Sequence, residues 1–226
     1  EAKFYFALQI GVEAIHWRQY NKLVDKMIES PDEKKRLFES AKSVPVIRAK
    51  ADWARRYIDD ASCNFATKMV AFCAVEQVYF SASFAAIYWV KVNLRKLPGL
   101  CQANELIARD EGQHCNWAIH LLNNHVANRP STEQIQEILR SAAEIEKDFV
   151  RESLRTDLVG MRADKMCEYV EYITDRLCAD LNEPLIYGTK NPFAQMMRFI
   201  STPCKTNFFE KHVTEYQRGS DSVTVG

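Results

Sequence analysis

Apolar residues in this chain recur at the three-to-four-residue spacing of helices, and prolines and glycines mark where one helical run gives way to the next. A first helix is expected to about residue 28, where Ser30-Pro31 stops it, with two shorter ones over about 32–42 and 46–59. Two longer runs follow, about 64–91 and 100–127, and the tight Pro98-Gly99 link between them predicts an antiparallel pair. Within the first of these, residues 69–80 are apolar around the whole helical circumference, which marks a central buried helix. Ser131-Thr-Glu-Gln134, following Pro130, has the form of a capping box and opens a helix expected to run to about Leu158, with Gly160 closing it. Another helix is predicted over about 163–182; beyond Pro184, Gly188 and Pro192 the pattern weakens into shorter pieces, including Thr206–Gln217. With no repeat, linker or low-complexity tract, residues 1–226 read as a single all-α domain.

Composition narrows the partners. Lys+Arg 30 against Asp+Glu 30 leaves no net charge, and no basic stripe with interleaved aromatics is present, so nucleic acid is not an expected partner. The 7 cysteines form no Cys-x-x-Cys pair, and Cys73, Cys115 and Cys167 fall inside helical apolar patterns as small core residues do, which predicts a reducing, cytoplasmic setting. Residues 69–90 are long enough to cross a bilayer, but Glu76, Gln77, Ser81 and Ser83 interrupt them, so a membrane location is not expected. The opening Glu1-Ala-Lys3 carries no basic-then-apolar leader, so no signal peptide is expected.

The chemistry lies in two Glu-x-x-His pairs, Glu13-Ala-Ile-His16 and Glu111-Gly-Gln-His114, and in a lone Glu76 in the most apolar stretch between them. Residues three apart on a helix share a face about one turn apart, so each pair presents a carboxylate and an imidazole to one metal ion. A single pair is common on solvated faces. Glu76 changes the weighing, because an ionised carboxylate in an apolar core must be protonated, paired or bound to a cation. A dinuclear metal centre inside a ferritin-like helical bundle accounts for all five residues, since inward-facing Glu-x-x-His pairs with further glutamates are how such bundles hold two metals. The competing reading is an ordinary buried ion-pair network. His120, His125 and His212 have no glutamate three residues ahead and are expected to be solvated or capping. Arg48, Lys50, Arg55 and Arg56, around Trp53, are expected to form a solvated face.

Tyr20 follows His16 by four residues, Phe80 and Phe84 follow Glu76 by four and eight, and Ile107 precedes Glu111 by four. If the first helix runs parallel to 64–91 and antiparallel to 100–127, Tyr20, Phe80 and Ile107 share one level beside the metals, with the phenol in a dry pocket walled by Phe80, Phe84 and Ile107. A packed, hydrogen-bonded core tyrosine is the plain alternative.

Together, Glu-x-x-His-x-x-x-Tyr20, Ala74-Val-Glu-x-x-x-Phe-Ser-x-Ser-Phe84, Asn104-Glu-Leu-Ile-x-Arg-Asp-Glu-Gly-x-His114 and the late Lys205-Thr-Asn-Phe-Phe-Glu-Lys211 and Glu215-Tyr-Gln-Arg218 runs resemble the radical-generating small subunit of class I ribonucleotide reductase, of the eukaryotic and viral kind. The resemblance implies that Glu13, His16, Glu76, Glu111 and His114 ligate two iron ions, with manganese as the alternative, and that Tyr20 is the radical tyrosine. It implies for Asp110 an outer-shell role, accepting a hydrogen bond from His16 on an electron-transfer route to the large subunit, and it implies a homodimer. The family's sixth ligand, an aspartate, and a relay tryptophan come from helices ahead of the first motif, and its docking tail follows the last; the chain reads as one without either region. Ala14, Trp17 and Arg18 depart from the family's usual Asn, Ser and Glu. A non-catalytic paralogue that stabilises an active subunit, or a di-iron oxidase or storage protein, are the alternative functions.

Overall fold

The computed structural model describes residues 1–154 and 161–194, and among these no β-strand occurs. The helices are α1 (Ala2–Met27), α2 (Pro31–Phe38), α3 (Ser40–Ser43), α4 (Pro45–Asp59), α5 (Phe65–Gln77), α6 (Ser81–Trp89), α7 (Pro98–Asn124), α8 (Thr132–Ser153) and α9 (Ala163–Asp180), with a π-helical turn over Val90–Leu94. The expected helix over 32–42 is thus two, jointed at Glu39. Local signals explain several starts. Ser30 accepts a hydrogen bond from the Glu33 N–H with Pro31 at the first helical position, Asn64 accepts one from Thr67, and the box at Ser131 and Gln134 is reciprocal. Leu158, Gly160, His212, Thr206–Gln217 and the two late motif runs lie outside the described residues.

Helix α5 packs on α7 and α8, α8 on α9, α4 on α8, and α1 along α7. Cys115 lies beside Cys73 and Gln77 while Asn104 reaches the Phe84 carbonyl, so α5–α6 and α7 run antiparallel. Helix α1 is antiparallel to α7 as well, with Tyr5 beside Gln113 and His16 beside Asp110. The core is filled by Val70, Val78, Leu122, Ile135, Leu139, Met166, Leu177 and Leu181. Helix α5 admits such close neighbours because Ala71 and Ala74 lie among its buried residues. The stretch Phe65–Leu94 is long and apolar enough to cross a bilayer, but just over half of its apolar window (56 %) is buried inside the bundle against its neighbours.

Two sequence expectations are corrected. The run 64–91 is broken at residues 78–80: the Tyr79 N–H reaches back five residues to the Ala74 carbonyl (3.2 Å) and the Ser81 hydroxyl takes the Val78 carbonyl (2.7 Å), displacing the regular ladder. Lys50 is not on a solvated face. Its Nζ donates to the Tyr79 carbonyl (2.9 Å), pairs with the fully buried Glu146 and lies 3.7 Å from the centre of the Phe149 ring. The break therefore has a carbonyl acceptor served from a helix 29 residues away in sequence.

Candidate metal centre

Three helices converge on one cluster: α1 brings Glu13 and His16, α5 brings Glu76 from its last turn, and α7 brings Asp110, Glu111 and His114. One ligand atom each from Glu13, Glu76, Glu111 and His114 fall within 4.8 Å of one another. His114 Nδ1 stands 2.9 Å from Glu13 Oε1, 3.1 Å from Glu111 Oε2 and 3.6 Å from Glu76 Oε2. His16 joins through Nδ1, 3.0 Å from Glu111 Oε1 and 3.5 Å from Glu13 Oε2, while its Nε2 faces Asp110 Oδ2 at 3.3 Å. The imidazole thus has one nitrogen toward the carboxylates and the other toward an outer acceptor, the arrangement that fixes ring orientation in metal-ligating histidines.

The electrostatics show what the cluster lacks. Burial, a hydrogen bond with Glu111 and the charges of Glu111 and Glu13 push the Glu76 carboxyl up to about 10. Burial and the Glu111 charge raise Glu13 too, against the opposing pull of His16 and His114. Three carboxylates converge with no Lys or Arg paired to any of them among the described residues, and Glu13 Oε1, His16 Nδ1 and Glu76 Oε2 are buried without a well-formed hydrogen bond. Orphaned oxygen and imidazole donors facing one point are the requirement of a divalent cation, so the residues fit a metal pair.

Tyr20 lies one turn beyond His16, close enough for Glu111 to act on it, yet 37 % of its surface is open. Burial, then the Glu111 charge, raises its phenol to about 12. The expected dry pocket is only partly built. Ile107 is buried and Phe84 half-buried, but Phe80, stacked on Phe84 at 5.8 Å, stands at the helix break with 38 % of its surface open. Among the described residues no helix closes over Tyr20 and Phe80. Sequence reasoning missed Gln9, which is buried on the cluster face of α1 one turn before Glu13 with Oε1 unpartnered. A polar residue four positions before the first ligand was the signal.

Comparison with known proteins decides the lineage. The family model described as "Ribonucleotide reductase, small chain" matches residues 1–192. The chain belongs to this family. Relatives of the small chain include the ribonucleoside-diphosphate reductase small chain of Encephalitozoon cuniculi, 44 % identical over 226 residues, all of this chain and 68 % of that protein. Subunit M2 of the human reductase is 43 % identical over 218 residues, 96 % of this chain and 55 % of its own length. The chain spans about half to two thirds of the length of the small chains it matches. Among solved structures, the Rnr4 homodimer of Saccharomyces cerevisiae is similar with a TM-score of 0.76 and 29 % identity, covering 84 % of this chain and 60 % of that one. A dimanganese(II)-NrdF of Streptococcus sanguinis shares the fold at a TM-score of 0.70 and 18 % identity, over 84 % of this chain and 68 % of that one. The small-chain architecture, a ferritin-like helical bundle, is therefore the fold of this chain.

Proposed function

We propose that this chain is the small subunit of a ribonucleoside-diphosphate reductase, one helical domain that generates a tyrosyl radical for a large subunit that reduces ribonucleotides. The observation that carries the reading is the convergence of Glu13, His16, Glu76, Glu111 and His114 one helical turn from a phenol. The donor set has oxygen and imidazole but no thiolate, which suits two iron ions, or manganese, better than structural zinc. Bound there, the metal pair would supply oxidising power through the reduction of O2. The protein's part is to hold and orient: Asp110 fixes the His16 ring, and Glu76, once its proton leaves, would be among the residues that hold the metal pair. Tyr20, its pKa near 12, is protonated at neutral pH, so its oxidation releases a proton as well as an electron. In this reading the buried Ile107 and half-buried Phe84 are the residues that would shield the phenol from water, which would lengthen the life of a radical there.

The partners in this reading are a second copy and the large subunit. Phe4, Leu8, Ile10, Ile15 and Trp17 leave an apolar surface open along α1, which suits a protein contact. All six cysteines among the described residues are free thiols, in keeping with a cytoplasmic location. Anaerobic loading of the full-length protein with Fe(II), then O2, should give about two irons per chain and a stable phenoxyl signal by electron paramagnetic resonance. Tyr20→Phe should lose the signal and nucleotide reduction with the large subunit, yet keep the ferric absorption. Reduction that persists in Tyr20→Phe, or a wild type that binds iron and never forms the radical, would overturn the reading in favour of a stabilising paralogue.

A further inference from the structure

The break between α5 and α6 opens just after Glu76, the one residue of the cluster that α5 contributes, and it is held from outside its own helix. A regular ladder would carry the Ala82 N–H to the Val78 carbonyl and the Ser83 N–H to the Tyr79 carbonyl. Here Ser81 takes the first acceptor, through its N–H (3.1 Å) and its hydroxyl (2.7 Å), and Lys50 Nζ takes the second at 2.9 Å. Glu146, paired with Lys50, faces the Ala82 N–H: burial raises its carboxyl, and Lys50 and that N–H pull it back. The ion pair thus stands in for backbone partners that the break removes. Its own placement is pinned. Trp53, three residues after Lys50 on α4, donates from Nε1 to Ser141 Oγ of α8 (2.9 Å) and meets the Tyr79 ring edge-on at 5.2 Å. The centre of the Phe149 ring of α8 lies 3.7 Å from Lys50 Nζ.

We propose that Lys50 and Glu146 are positioning residues for Glu76: by keeping the Tyr79 carbonyl and the Ala82 N–H out of the helical ladder, they fix where α5 ends and so aim the Glu76 carboxyl into the cluster. The inference rests on the metal-site reading above. Stability does not account for the pair, because a buried ion pair generally gains little over apolar residues of the same volume. Its location does, since both charges meet backbone groups freed by the break. Closing the ladder would remove the extra residue that the Tyr79-to-Ala74 bond accommodates, and one residue is about 100° of helical rotation. That rotation must be taken up on one side of the break. On the far side Ser81, Ala82 and Ala85 are buried and Asn104 Nδ2 holds the Phe84 carbonyl (3.4 Å). On the near side Glu76 stands one residue from the helix end with Oε2 unpartnered, so the last turn of α5 yields and the carboxyl turns with it.

The test uses the full-length protein loaded anaerobically with Mn(II), whose electron paramagnetic resonance separates an exchange-coupled pair from isolated ions without any reaction with O2. Wild type should give the coupled signal. Lys50→Met together with Glu146→Leu removes both charges at similar volume and frees the ladder to close, so the metal-free variant should melt no lower than wild type. It should nevertheless bind Mn(II) at least about tenfold more weakly and show the hyperfine pattern of isolated ions. Should that variant fail to fold, Lys50→Met alone at about pH 6, where Glu146 can go neutral, removes only the donor to Tyr79 and should show the same loss against wild type at that pH. Arg129→Met together with Glu183→Leu removes a partly buried ion pair elsewhere and should leave affinity and signal as in wild type. A coupled signal of unchanged affinity in the folded Lys50 variant would overturn the inference and leave the metal-site reading standing. An equal loss in the Arg129 control would overturn it too, since any broken ion pair would then suffice. A wild type that binds no Mn(II) pair would remove both.

Discussion

Glu76 concentrates the conflict between stability and chemistry in a single side chain. Only 8 % of it is exposed and one oxygen lacks a partner, and its carboxyl ionises near 10 when metal is absent, against an ordinary value of 4.5. The folded protein thus holds this proton more tightly than the unfolded chain, so the group favours folding at low pH, and that advantage is lost as pH climbs from about 4.5 through about 10. Metal-free protein should accordingly lose thermal stability between about pH 5 and 9. Glu76→Gln should flatten that slope and gain on the order of 1–3 kcal/mol at pH 8, while binding far less iron. Melting curves of the stripped variant and wild type across pH decide it: an unchanged slope would assign the titration to another group. If Glu76 holds metal as its carboxylate, metal binding must expel the proton, and affinity should rise with pH over the same interval. Stripping metal from a loaded sample should lower its melting temperature most at alkaline pH, where three carboxylates are left converging without a cation.

At the scale of elements, the break between α5 and α6 places Phe80 and Phe84 relative to Glu76. No Gly or Pro enforces it, for residues 69–90 contain neither. The Ser81 hydroxyl competes for a backbone carbonyl, and Lys50 of α4 supplies the Tyr79 carbonyl with a donor. Lys50 is itself held by Glu146 of α8, whose carboxyl burial pushes up to about 7 despite the opposing charge of Lys50. Three helices are tied at this point. Glu146→Ala should leave the Lys50 charge buried without its partner and cost roughly 3–5 kcal/mol in urea unfolding. A loss below about 1 kcal/mol would mean that Lys50 escapes to solvent and that the break does not depend on it.

At the scale of the molecule, the chain leaves one element poorly covered. Helix α1 rests on α7 by one face, while Phe4, Leu8, Ile10, Ile15 and Trp17 are exposed along the others. A helix carrying that much open apolar surface should be buried by association, and closed two-fold pairing is the commonest solution. Sedimentation at micromolar concentration should give a species near twice the 26.1 kDa chain mass. Leu8→Glu together with Trp17→Glu should shift it toward monomer with iron content unchanged. A wild type that sediments at the single-chain mass would refute the pairing.

The two Glu-x-x-His pairs and the buried Glu76 were legible because both signals are local: a three-residue spacing sets one helix face, and a carboxylate in an unbroken apolar run has few acceptable states. Most of the helices, and the antiparallel return of α7 along α5–α6, followed from the same kind of information, since the break at Pro98-Gly99 leaves only a short link between those runs. What the sequence alone could not decide depends on residues far apart in the chain. Lys50 reads as part of a solvated helix until α8 places Glu146 against it, and the helix break is invisible because its donor comes from α4. Tyr5 and Trp117, with Gln113 between the phenol and a ligand histidine, become a pair only where α1 crosses α7. Openness at Tyr20 and Phe80 is likewise a property of packing, because helical spacing fixes which side chains share a level but not whether another helix covers them.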